Sequence, residues 1–95
     1  MRISPEVEIA LSLAASEAAR RRNEYVTLEH LLLALLFDEA TANVIRHAGG
    51  KVDDLKRELA DYLDREIESL PEDDDQAPTA SLGVQRALRR AMAHV

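Results

Sequence analysis

Cysteine is absent from this sequence of 95 residues. That excludes both a disulfide framework and a thiolate metal site. Tryptophan is absent too, and two tyrosines and one phenylalanine make aromatics 3% of the chain. Glycine and proline number only three each, so there are few breakers to punctuate strands and turns. Long apolar runs are also missing. The longest, Leu31 to Phe37, is far short of the roughly 20 residues that span a bilayer. The first residues, Met1-Arg2-Ile3-Ser4-Pro5-Glu6, hold no apolar signal core, so the expected location is the cytoplasm and not the membrane.

What remains is rich in leucine and alanine, both strong helix formers. With 46% hydrophobic residues, the composition predicts an all-α fold of helices packed on helices. The net charge is −6, which disfavours nucleic acid as the main partner. Arg86, Arg89 and Arg90 invite a helix-turn-helix reading, but the acidic balance and the run Asp73–Asp75 oppose it.

Five helices are expected, over Pro5–Arg21, Leu28–Phe37, Glu39–Ala48, Asp54–Ser69 and Leu82–His94, with no strand. Ser4 can cap the first, Pro5 suits its first position, and Glu6 and Glu8 favour its positive end. Val7, Leu11, Ala14, Ala15 and Ala18 form its apolar stripe. Arg20-Arg21-Arg22 then reads as a solvated basic end. Thr27 is the next cap. Leu28–Phe37 is apolar on nearly every face, which predicts a buried central helix. In the third helix Val44 and Ile45 are expected inward, and Gly49-Gly50 stops it with a left-handed cap. Asp53 is the expected cap of the fourth, which carries Leu55, Leu59, Tyr62, Leu63 and Leu70. Residues 71–80 are acidic and proline-bounded and read as a flexible linker.

The last helix resembles the first. A shift of 77 residues pairs Ser4 with Ser81, Val7 with Val84, Leu11 with Leu88 and Ala14 with Ala91. The organisation expected is one four-helix repeat over 1–70, a linker over 71–80, and over 81–95 the first helix of a truncated second repeat. A repeat that cannot complete its own core packs on a neighbour. The fifth-helix face of Leu82, Val84, Leu88 and Met92 is therefore expected either to fold back onto the first repeat or to self-associate with another chain.

The stretch Asn23-Glu24-Tyr25-Val26-Thr27-Leu28-Glu29-His30-Leu31-Leu32-Leu33-Ala34-Leu35-Leu36 resembles the signature of Clp N-domains. Glu6-Val7-Glu8-Ile9-Ala10-Leu11 resembles that family's opening. Ser81-Leu82-Gly83-Val84-Gln85-Arg86-Ala87-Leu88-Arg89-Arg90-Ala91 is most similar to its ClpA branch. The resemblance implies a helical-repeat docking domain of an AAA+ unfoldase, which tethers a ClpS-type adaptor and receives protein substrates for ATP-dependent proteolysis. It further implies adaptor contacts at Glu24, Glu29, Ser81 and Arg86, the last two where the fifth helix begins.

Read without the resemblance, Glu29 is an acid stabilised by a helix N-terminus and Ser81 is a cap. The chain has no G-x-x-x-x-G-K-[ST] phosphate loop. No cofactor is expected here, and ATP would belong to motor modules outside this chain. A zinc site from His30, His47 and His94 is disfavoured by their spacing. No catalytic motif is present, so the chain is expected to bind and not to catalyse. A free-standing adaptor of the same family is the alternative, and the residues do not separate the two.

Overall fold

The computed structural model describes residues 4–74 and 76–93. Five helices are joined in order: α1 (Pro5–Arg20), α2 (Leu28–Leu36), α3 (Glu39–His47), α4 (Val52–Glu66) and α5 (Leu82–Ala93). None of the described helices is long and apolar enough to cross a membrane. The fold is all-α as expected, but with a correction. Tyr25–Val26 (β1) and Thr79–Ala80 (β2) pair as two short parallel strands, in register Tyr25 to Thr79 and Val26 to Ala80. His94, expected to end the last helix, lies outside the described residues.

Local chemistry sets most helix starts. The hydroxyl of Ser4 accepts from the N–H of Val7 at 3.3 Å, with Pro5 in the first turn. The hydroxyl of Ser81 accepts from the N–H of Val84 at 3.2 Å. The 77-residue likeness is thus also a likeness of cap geometry. Asp38 caps α3 through the N–H of Thr41. Gly49, at φ +91°, supplies the left-handed residue that closes α3, a conformation that costs glycine nothing.

Helix α4 departs from expectation. Asp53 does not cap it; Lys51 stands at the cap position and makes no side-chain bond there. Val52 is the first helical residue and is buried with Leu36 and Ala42. Packing, more than capping, fixes where this helix begins.

Two clusters make the core. Ala10, Ala14 and Ala18 of α1 meet Val26 and Ala34, flanked by Leu31 and Leu35. Three alanines one turn apart let α1 lie close along α2. The second cluster joins Leu36, Ala42 and Val52, flanked by Ile45 and Leu59. Helix α2 is central, as its apolarity predicts, but it is not buried all round. His30, Leu33, Ala34 and Leu36 are inside, while Leu28 and Leu32 are each 45% exposed and Phe37 is 63% exposed. Val44 is open as well, and Ala42 takes the inward place in α3.

The arginines after α1 are also not a free basic end. Arg21 is one-tenth exposed and bridges Glu17 and Asp64, so it bolts α1 to α4. Arg22 turns the chain at φ +55°. Its carbonyl accepts from the N–H of Leu70 at 2.6 Å, and its Nε donates to the Leu70 carbonyl at 3.2 Å.

Candidate functional site

The strand pair builds the candidate site. Thr79 N–H donates to the Glu24 carbonyl at 3.1 Å and Ser81 N–H to the Val26 carbonyl at 2.9 Å. The ladder is parallel, so α2 and α5 both begin just beyond it. A methyl group placed on Gly83 would sit 3.5 Å from Leu28 Cδ1, so the first turns of the two helices touch.

Segment 71–80, read as a flexible linker, is therefore hydrogen-bonded at both ends. Residues 79–81 bond to 24–26, and Leu70, just before the segment, bonds to Arg22. Sequence reading gives no warning of this, because a two-residue ladder leaves no alternation to detect.

All four proposed contact residues belong to this junction. Glu24 is exposed beside β1, and its backbone carbonyl is spent on the ladder. Glu29 is half-buried in the first turn of α2 and lines a shallow groove with Leu32, Leu36, Leu55 and Tyr62. Ser81 follows β2 and caps α5, so its hydroxyl already serves the helix. Arg86 is exposed, and lines a small hollow with Leu28, Gly83 and Arg90. Among the described residues neither glutamate pairs with Arg86.

Beneath the junction lies a polar relay that the sequence reading missed. His30 and Asn23 are the buried polar side chains, at 0% and 1% exposed. His30 Nδ1 accepts from the N–H of Thr27 at 3.0 Å, and the Thr27 hydroxyl is 2.8 Å from the same nitrogen. A backbone N–H can only donate, so Nδ1 is bare and Nε2 carries the proton. Nε2 then donates to Asn23 Oδ1 at 2.8 Å, and Asn23 Nδ2 donates to the Glu68 carbonyl at 3.3 Å. Thr27 and His30 form a reciprocal capping box, with histidine where glutamate or glutamine is usual.

Burial disfavours the imidazolium, and the positive charge of Arg21 adds to this, so the His30 pKa is held below its ordinary value. The relay ties β1, the start of α2 and the segment after α4 into one unit. It also leaves His30 no free nitrogen for a metal. Among the described residues no group of three or more potential ligands is arranged to hold one.

Comparison with known proteins fits this architecture. The family model described as "Clp repeat (R) N-terminal domain" matches residues 2–95. A "ClpA homolog protein" of Fuscovulum blasticum is 38% identical over 95 residues, covering 97% of this chain and 12% of that protein. The N-domain of ClpV from Vibrio cholerae superposes with a TM-score of 0.76 at 30% identity, over 98% of this chain and 60% of that one. A complex of the ClpV N-domain with a VipB peptide gives 0.74 at 28% identity, over 98% and 61%. The chain thus spans only part of each relative. It belongs to the Clp repeat N-terminal domain family.

Proposed function

We propose that this chain is the docking domain of a ClpA-like AAA+ unfoldase, and that a ClpS-type adaptor or a protein substrate meets it where α2 and α5 begin. One observation carries the reading: the parallel ladder brings together Glu24, just before β1, and Ser81, just after β2, with Glu29 and Arg86 in the first turns of the helices beyond. These polar groups stand on hydrogen-bonded elements, so a partner can engage them without ordering a loop. The chain acts by binding; ATP hydrolysis would belong to other modules of the parent protein. The ClpV relative bound to a VipB peptide and the likeness to a ClpA homolog support a protein partner.

Rim charges of this kind steer association more than they add affinity. Titration calorimetry and surface resonance with a purified ClpS-type adaptor test the patch. Glu24→Lys, Glu29→Lys and Arg86→Glu should each slow association and weaken binding by roughly 2- to 5-fold, the size expected of a half-exposed ion pair. Their response to salt should also fall. Equal binding by wild type and all three variants would show that the adaptor docks elsewhere.

A further inference from the structure

A second surface lies on another side of α2. A groove of about 620 Å³ opens between α1, α2 and α4. Its floor is apolar, with Leu13, Leu33 and Phe37, and its charged lining is four cations, Arg20, Arg21, Lys56 and Arg57, against one carboxylate, Glu17, which is paired with Arg20 and Arg21. On α2 the groove takes Leu33, Ala34 and Phe37, whereas the shallow groove beside Glu29 takes Leu32 and Leu36. None of Glu24, Glu29, Ser81 and Arg86 lines it.

Two features separate this groove from an ordinary surface hollow. Phe37 is the only phenylalanine of the chain and stands 63% exposed, with Leu13 at 47%. Large apolar side chains brought together in a hollow mark binding sites more often than scattered ones do. The charge around it also runs against the rest of the molecule: the chain carries −6 overall, yet Arg20, Arg21, Lys56 and Arg57 gather here with Glu17 as the one carboxylate lining the groove.

Those cations keep binding capacity. Lys56 Nζ rests 4.2 Å from the centroid of the Phe37 ring and, among the described residues, makes no ion pair. An ammonium held over a ring face stays open to a carboxylate. Arg20 bonds Glu17 through Nε and Nη2, and Arg57 bonds Asp54 through Nη2. A guanidinium has five N–H donors, so each retains others. A neutral or basic segment would gain nothing from such a rim.

From this we infer that the groove docks a short peptide segment whose apolar side chains are flanked by aspartate or glutamate. The apolar side chain fills the floor beside Leu13 and Phe37, and the carboxylates meet Lys56, Arg20 and Arg57. The surface is separate from the adaptor junction, so both can be occupied at once.

The probe is an acetylated, amidated hexapeptide, Glu-Asp-Leu-Phe-Asp-Glu, titrated into the whole chain while the leucine methyl and backbone NMR signals are followed. Shifts are expected at Leu13, Leu33 and Phe37. Replacing the four acids by lysine, or Leu-Phe by Ser-Ser, should weaken binding by about tenfold or more, which corresponds to losing either half of the recognition. Lys56→Glu should weaken it by roughly 5- to 10-fold, since a rim cation becomes a like charge, while adaptor binding stays intact. Phe37→Ser is the second variant and should act in the same direction.

Four results would each overturn the proposal. They are equal binding of the lysine peptide, shifts confined to another face, unchanged affinity in both variants, and no binding at millimolar peptide. Sedimentation showing a dimer whose interface is this groove would assign it to a second copy instead. Loss of adaptor binding in Lys56→Glu would show that the two surfaces are not separate.

Discussion

Helices α1 and α5 begin alike and end up differently. Each starts at a serine whose hydroxyl accepts from the N–H of a valine three residues on. From there α1 buries Ala10, Ala14 and Ala18 against α2. In α5 only Val84 is buried, and Leu82 and Met92 remain 57% and 39% exposed. A shared local code is enough to start both helices. Which face is covered depends on what lies alongside, and α2 lies alongside only the first. The likeness between the two helices is therefore a likeness of starts, with burial supplied by partners.

Leucines of the core and of α5 should differ most in what their truncation costs. Leu36 is 1% exposed, in the cluster that holds α2 to α3 and α4. Leu36→Ala should cost roughly 2–5 kcal/mol, because buried methyl groups are lost and the surroundings relax only partly into the space left. Leu82→Ala, at the start of α5, should stay within about 0.5 kcal/mol. Urea denaturation followed by circular dichroism measures both. Similar losses from the two would mean that α5 is packed as tightly as the core. Leu32, which the apolar pattern alone would have nominated for this test, is 45% exposed, so its truncation belongs with the smaller effects.

The paired alanines sharpen the contrast from the opposite direction. Ala14 and Ala91 occupy matching positions 77 residues apart, but Ala14 is fully buried and Ala91 is exposed. Ala14→Leu overfills the α1–α2 contact and should cost about 1–3 kcal/mol. Ala91→Leu should be close to neutral in the same chain. Thermal melts of the two variants against the parent decide the matter. A neutral Ala14→Leu would show that α1 does not lie close on α2.

The smallest effect concerns a single imidazole. The native fold keeps His30 neutral, with its pKa below the ordinary 6.5, chiefly through burial. The unfolded chain takes up a proton near pH 6.5, and the folded one does so only at lower pH. Between those two values the unfolded state binds more protons, so stability falls as the pH falls. The contribution is complete above about pH 6.5 and is lost on acidification through the folded value. Denaturation at a series of pH values between 7.5 and 5, roughly spanning that window, should show this slope. His30→Gln should reduce it. An unchanged slope in the variant would place the pH dependence in other groups.

Much of the fold was legible because it rests on short-range chemistry. Ser4 and Pro5, Thr27, and the Gly49 stop act within one turn, and each is where its sequence context puts it. What stayed hidden depends on distance. Arg21 reads as a solvated cation until Asp64 of α4 is brought beside it. Asn23 and His30 read as ordinary polar residues until the chain folds over them. An apolar residue shows what can be buried and not what is, which is why Leu28, Leu32, Phe37 and Val44 were expected inside. For the candidate site, the resemblance nominated four residues from two distant segments. The structure adds that the segments lie together, through a strand pair with no signal of its own.

That strand pair also carries a consequence for time. It joins Tyr25 to Thr79 and Val26 to Ala80, so it closes a loop containing α2, α3 and α4. Contacts between α1 and α2 need only a short excursion of chain, and α2, α3 and α4 follow one another closely. A closure this long loses more chain entropy and is rewarded by only a few hydrogen bonds. It should therefore form after the helices have docked and be among the first native contacts to open. The proposed adaptor surface should thus be assembled last, and a partner that grips both strands at once would distinguish a finished domain from one still folding.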